Sequence, residues 1–261
     1  MNLIYGPVSS WRLGRSLGID IIDRDNAKIC SFDCIYCSLG ETTEKTVDRR
    51  TFVDTVEIES ELKRVPEDIE VDILTVSGTG EPTLAINMGN VIDLAKKRSS
   101  LPVAVITNSS LMSREDVRSE LSKADVIVGS LDASNPELFE KINEPDPKVS
   151  FEKIVEGMKI FADEFDGMFS LEIMFVPQNK DFSKEIAAVA RNIRPDEVQI
   201  NTPLRTNPVG YLEQSELEEI QKGFSDLKTR SVYESKKPEI ERIIGEEKLK
   251  RLKRPKDGKS S

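Results

Sequence analysis

VDILTVSGTGEPTLAINMGNVIDLAKKRSSLPVAVITN, residues 71–108, sets two apolar β-branched runs on either side of an amphipathic segment. The runs VDILTVSG (71–78) and PVAVITN (102–108) are nearly continuous in apolar residues rather than alternating. A strand buried on both faces of a parallel sheet has that composition. Parallel neighbours need a crossover, and MGNVIDLAKKR (88–98) has the pattern of a helix that supplies it. The same unit recurs in both directions. LGIDII (17–22) precedes it, and ADVIVGSLD (124–132), FSLEIMFVP (169–177) and DEVQINTP (196–203) follow. Helical patterns separate them at TVEIESELKRV (55–65), REDVRSELSKA (114–124), FEKIVEGMKIFADEF (151–165) and KEIAAVARNI (184–193). Ser113 is the expected N-cap of one helix, with Asp116 completing an approximate capping box, and Ser150 of another.

Repeated strand–helix units with right-handed crossovers give a parallel α/β sheet, curled into a barrel or doubly wound. A full eight-stranded barrel takes ~250 residues. Here the pattern runs only from Leu17 to Pro203, a length that suits a partial six-stranded barrel. Beyond Pro208 the chain becomes highly charged. LEQSELEEIQKGFSDL (212–227) puts Leu217, Ile220 and Phe224 on one helical stripe, and KPEIERIIGEEKLKRLK (237–253) is also amphipathic. The expected organisation is a barrel over 1–210, a helical extension over 211–253 and a disordered basic tail over 254–261.

With 261 residues, 38% of them hydrophobic, the chain can build one sizeable domain. No apolar run approaches the ~20 residues of a membrane span. The first residues lack the charged start and apolar core of a secretory signal, so the expected location is cytoplasmic. Lys and Arg number 37 against 47 Asp and Glu, a net charge of −10, which opposes a nucleic-acid substrate. KLKRLKRPKDGK (248–259) is a local basic counterweight, or else a solvated frayed tail.

All three cysteines, Cys30, Cys34 and Cys37, fall in KICSFDCIYCSLG (28–40), and the chain has no histidine. Their odd number and tight spacing oppose a disulfide framework. Structural zinc normally takes four Cys or His ligands, so a carboxylate would have to complete the set. Inert buried thiols are the plainest reading. Thiolates also hold iron–sulfur clusters, and C-x3-C-x2-C lets one loop wrap three corners of a cube, leaving one iron open for chemistry.

Cys30-Ser-Phe-Asp-Cys34-Ile-Tyr36-Cys37 resembles the signature C-x3-C-x-aromatic-C of the radical SAM superfamily. The resemblance implies a partial (β/α)6 barrel with a C-terminal helical extension and one [4Fe-4S] cluster on Cys30, Cys34 and Cys37. S-adenosylmethionine would chelate the open iron and yield a 5′-deoxyadenosyl radical that abstracts hydrogen from substrate. Tyr36 would pack beside cluster and adenine. The turn Gly78-Thr79-Gly80-Glu81 resembles the Gly-Gly-Glu-like turn for the cofactor's amino group, with Thr79 replacing its first glycine. Asn108, Ser130 and Asp132 resemble the polar strand ends that face its carboxylate and ribose. Asn201, with Met174 to Pro177, would flank adenine and substrate. All lie at C-terminal strand ends, where parallel barrels build their sites.

YGPVSSWRLGRSLGIDII (5–22), GTGEPTL, VGSLDA and QINTPLRTNP are similar to a subgroup of small iron–sulfur oxidoreductases related to the wyosine-forming enzymes of tRNA modification. In that setting Arg12, Arg15 and Arg205 are candidate cations near a substrate or cofactor carboxylate. The wyosine enzymes carry further cysteines for a second cluster; this chain has none, which excludes an auxiliary cluster. The partners implied are S-adenosylmethionine, a reductant protein, and a tRNA base or a protein or peptide substrate. The alternative is a non-catalytic iron–sulfur or zinc-binding module. Without histidine, proton transfers fall to Asp, Glu, Lys, Tyr or water.

Overall fold

The run Ile73-Leu74-Thr75-Val76 is buried at every residue and forms a central strand, as its continuous apolar character requires. The computed structural model describes residues 3–23, 27–205, 207–241 and 243–253. Its strands are β1 (Ile4–Ser10), β2 (Gly14–Ile19), β3 (Ile29–Cys30), β4 (Glu44–Lys45), β5 (Ile73–Val76), β6 (Val103–Thr107), β7 (Val126–Ser130), β8 (Met168–Met174), β9 (Glu197–Asn201) and β10 (Thr229–Ser231). Eight of them form one sheet in the order β1-β2-β5-β6-β7-β8-β9-β10. From β2 to β10 every neighbour is parallel, with registers such as Leu74↔Val103, Val126↔Met168 and Ser170↔Glu197. The sheet curls into a half-barrel whose six central strands are those expected from sequence.

The helices are α1 (Thr55–Leu62), α2 (Met88–Arg98), α3 (Glu115–Leu121), α4 (Pro136–Asn143), α5 (Phe151–Glu164), α6 (Ser183–Ile193), α7 (Gln214–Lys222) and α8 (Glu246–Lys253). Ile92, Val117, Phe161 and Ile186 from the crossover helices join Val105 and Ile127 of the sheet in one apolar core. Burying each such side chain contributes roughly 1.5–3 kcal/mol. Ser150 caps α5 as expected, its hydroxyl accepting from the Lys153 amide at 3.4 Å.

Several local expectations change. The first parallel strand starts at Gly14 and ends at Ile19, because Asp20 accepts the amides of Ile22 and Asp23 and turns the chain. Ser113 does not cap α3: that helix begins one residue later, behind Arg114, while Asp116 turns to the guanidiniums of Arg114 and Arg49. The edge strand β1 pairs antiparallel with β2 through a register irregularity between Tyr5 and Val8, where Pro7 interrupts the strand pattern. The C-terminal extension is helical at α7 and α8, but β10 lies between them and residues 237–241 are not helical. Lys248, Leu249 and Leu252 are buried, so the first half of the basic stretch is packed structure. The expected disordered tail lies outside the described residues. Among the described residues no helix is long and apolar enough to cross a membrane.

Gly157 sits where α5 crosses the chain after β6. A Cβ there would fall 2.4 Å from the Ser113 nitrogen and 2.5 Å from the Met112 carbonyl carbon. Gly157→Ala is expected to destabilise by about 1–3 kcal/mol despite alanine's better helix propensity, because backbone must move. Urea unfolding measures it, and an unchanged or raised midpoint contradicts this packing.

Candidate functional site

The cysteine loop starts on β3, whose Cys30 pairs with Lys45 of β4, and it is fastened at both ends. The amides of Asp33 and Ile35 donate to the Asn143 and Ile142 carbonyls, each at 3.0 Å, so the open end of α4 anchors the loop. Lys28, 5% exposed, donates to the Gly40 carbonyl at 2.7 Å and to Asp33 at 3.3 Å, drawing the loop's two limbs together. Gly40 takes φ +74°, a left-handed turn that suits glycine.

The three sulfurs are mutual neighbours. Cys30 is pushed up to about 12, by desolvation first and then by the Glu81 carboxylate. Cys34 is also raised well above its ordinary value, by desolvation first and then by Asp132 and the other two sulfurs. Two of the sulfurs receive side-chain amides: Asn108 Nδ2 lies 3.4 Å from Cys30 Sγ, and Asn143 Nδ2 lies 3.4 Å from Cys34 Sγ. Thiols in such surroundings stay neutral unless a metal supplies positive charge, and coordination then deprotonates them outright. Among the described residues no three Cys, Asp or Glu side chains converge closely enough for one metal ion. Three neighbouring thiolates on one loop are the kind of donor set that iron–sulfur clusters take.

The turn after β5 stands against this loop. A Cβ on Gly80 would fall 1.8 Å from the Ile29 carbonyl oxygen, and the Glu81 amide donates to that same oxygen at 3.1 Å. Only glycine permits so close an approach. The Glu81 side chain points inward. Its carboxylate accepts from the Thr83 amide and hydroxyl, the Thr107 hydroxyl and the Asn108 amide, at 2.6–3.0 Å. Burial pushes its pKa up against these bonds. Thr79 is also turned in, donating its amide and hydroxyl to Asp20 at 2.8 and 2.9 Å. Asp20 in turn pairs with the buried ammonium of Lys248 at 2.5 Å, linking the turn to α8.

At the ends of β7 and β8, Asp132 plays a matching part. Its carboxylate accepts from the Tyr36 hydroxyl, Asn143 Nδ2 at 2.7 Å and the Met174 amide at 2.8 Å. Burial lifts it to about 6. Glu172 of β8 accepts from Asn201 of β9 at 2.7 Å and is ion-paired with Arg12.

Two cavities adjoin the cysteine loop at Cys37. The smaller, about 250 Å³, is lined by Tyr5, Ser16, Thr75, Gly78, Leu249 and Leu252 among others. The larger, about 440 Å³, includes Trp11, Tyr36, Glu172, Met174, Asn201 and Leu204. Val8, Ser10, Arg12, Cys37, Ser38 and Arg205 form their common wall.

Of the residues expected from sequence, Tyr36, Cys37, Gly78 and Asn201 therefore face cavities, with Arg12 and Arg205 beside them. Thr79, Glu81 and Asp132 are buried behind them, at 4%, 2% and 3% exposure. Gly80, Asn108 and Ser130 are half-buried on the same rim. Arg15 is elsewhere: it lies near the start of β2, paired with Asp72 and Glu70 at the surface. Asp20, Lys28, Asn143 and Glu172 were not singled out. Asp20 carried the signal already used for Asp132, a carboxylate closing a strand pattern, whereas Asn143 is 109 residues from the cysteine it reaches.

Comparisons with known proteins bear on the family and the fold. Residues 27–190 match the family described as the Radical SAM superfamily. A UPF0026 protein of Synechocystis is 41% identical over 79% of this chain and 77% of its own length. A UPF0026 protein of Methanocaldococcus jannaschii is 36% identical over 85% of this chain and 70% of its own. The crystal structure of Streptococcus suis SuiB bound to S-adenosylmethionine shares the fold at a TM-score of 0.63 and 13% identity, over 84% of this chain and 50% of SuiB. This chain thus corresponds to about half of SuiB, and that likeness concerns the fold. The sequence match runs through the cysteine loop and across more than half of the chain, and on that ground the chain belongs to the radical SAM superfamily.

Proposed function

We propose that the protein is a radical S-adenosylmethionine enzyme with one [4Fe-4S] cluster on Cys30, Cys34 and Cys37. It would cleave the cofactor reductively and remove hydrogen from a substrate. The observation that carries this reading is the cysteine loop itself: three neighbouring sulfurs, two given amide donors, and the third, Cys37, on the wall of both cavities. Bound there by Cys30, Cys34 and Cys37, such a cluster would supply the single electron that reductive cleavage of the cofactor's sulfonium requires.

This chain's residues do the holding. Asn108 and Asn143 orient two of the thiolates. Tyr36 ties the loop to β7 through Asp132 and presents its ring to the larger cavity. Ser77 and Gly78 border the smaller cavity, which supports a reading in which the backbone of that turn takes the cofactor's ammonium group. Glu81 then positions the turn instead of meeting the ligand, since four internal donors occupy its carboxylate. Leu249 and Leu252 of α8 pack with Tyr5 beside the smaller cavity, an apolar cover that excludes water from radical chemistry.

Anaerobic reconstitution with iron and sulfide is expected to give a brown protein that forms 5′-deoxyadenosine with dithionite and S-adenosylmethionine. Cys34→Ala should lose both properties. Bound zinc without sulfide would sink the proposal in favour of a structural metal module.

Asn143→Ala removes a donor from Cys34 and another from the buried Asp132. The cluster's reduction potential is expected to move downward in a titration followed by electron paramagnetic resonance, since hydrogen bonds to sulfur favour the reduced state. Stability should fall by about 1–3 kcal/mol, because the buried Asp132 carboxyl loses one of its donors. A potential equal to that of the parent would show that the amide does not act on the cluster.

A further inference from the structure

We propose that Arg12 and Arg205 form an oxyanion-binding site for the substrate, so that the molecule acted upon carries a carboxylate or phosphate group. The inference rests on the radical reading for what happens to the bound molecule, while the anion site stands on the cavities themselves.

Both arginines line the wall shared by the two cavities, as does Cys37. Arg12 sits at the tip of the β1–β2 hairpin, and the tip is held in place. Ser10 Oγ accepts the amides of Arg12 and Leu13 at 3.2 and 3.1 Å, and Arg230 donates to the Arg12 carbonyl at 3.3 Å. The Arg12 guanidinium lies 5.1 Å from the centre of the Trp11 ring. Its position is thus set before any ligand arrives.

The charges around it do not balance. Arg12 is ion-paired with Glu172, but that carboxylate also accepts from Asn201 on the same oxygen. Arg12 Nε is buried and has no hydrogen-bond partner. Arg205 donates to the Leu252 carbonyl at 3.3 Å, and among the described residues no carboxylate pairs with it. Arg205 is exposed as a residue, so an incoming anion can reach it. Desolvation, and then the neighbouring Arg12, lower its pKa. Lys237 adds a third cation to the larger cavity, against the single carboxylate of Glu172. This excess of positive charge stands in a chain whose net charge is −10. A carboxylate or phosphate would relieve the repulsion and take up the free donors, and the planar fork of arginine matches both groups.

Trp11 is the chain's only tryptophan and lines the larger cavity, so its emission reports on this place alone. The experiment titrates reconstituted protein, with S-adenosylmethionine saturating, against inorganic pyrophosphate and separately against succinate. The expected result is a saturable change in emission with at least one of them, weakened about tenfold or more in Arg205→Gln and less in Arg205→Lys. Arg15→Gln, outside both cavities, should titrate like the parent. Pyrophosphate alone marks a phosphorylated substrate, and succinate alone a carboxylate. Equilibrium dialysis of S-adenosylmethionine on the same variants completes the test. An Arg205→Gln variant that loses the cofactor as strongly as the anion assigns the arginine to the cofactor's own carboxylate and overturns the proposal. So does an emission that neither anion changes, or equal binding by Arg205→Gln and the parent. The 5′-deoxyadenosine assay on these samples reports separately on the radical reading.

Discussion

A single carboxylate shut away from water holds the rim of this half-barrel in register. Glu81 is 2% exposed, and a bare charge at such a place would be very costly. It is tolerated because Thr83, Thr107 and Asn108 surround it with donors. Those donors come from its own turn and from the end of the next strand, so the charge ties β5 to β6. Asn108 then passes the constraint on, since its side chain reaches Cys30 Sγ and Ser31 Oγ, the latter at 2.9 Å. Moving Glu81 would therefore move the cysteine loop, to which its amide is also bonded directly through the Ile29 carbonyl at 3.1 Å.

Asp20 and Asp132 repeat the device at other strand ends. Asp20 gathers the Thr79 turn and Lys248 of α8; Asp132 gathers Tyr36, Asn143 and the Met174 amide. Each buried acid is satisfied, and a satisfied polar network specifies one geometry where an apolar rim would permit several. This accounts for the acids being buried while the groups facing the cavities are the glycine turn, the tyrosine and the arginines. The ligand-facing surface is supported from behind by carboxylates that never need to meet the ligand.

The central strands were legible in the sequence because burial on both faces leaves an unbroken apolar run, as in β5 and β6. The cysteine loop was legible because its chemistry is local, with all three thiols inside eight residues. The edges were harder. β1 contains Pro7, which argues against a strand until an edge position and an irregular register accommodate it. α4 is short and begins with Pro136, and its amphipathic stripe went unused although Asn135 caps it at 2.9 Å. The anchoring residues were hidden for a different reason. Asn143, Lys28 and Asp20 act through contacts that only the folded chain creates, and no spacing rule relates Asn143 to Cys34. Arg12 and Arg15 show the same limit within one hairpin: three residues apart, one faces the cavities and the other a surface pair with Asp72.

The acidic character of the whole chain and the basic wall of its cavities belong to one argument. A net charge of −10 repels polyanions approaching the general surface, so the bulk of a nucleic acid gains little by adsorbing there. A small anion meets a different local charge, because Arg12, Arg205 and Lys237 stand together around the opening. Rejection at the surface and attraction in the cavity together select ligands by size as well as by sign. The selection also serves the chemistry proposed for the site. An anion seated against a prefixed arginine is held by its charged group, which leaves its remaining bonds to be presented toward the wall that carries Cys37.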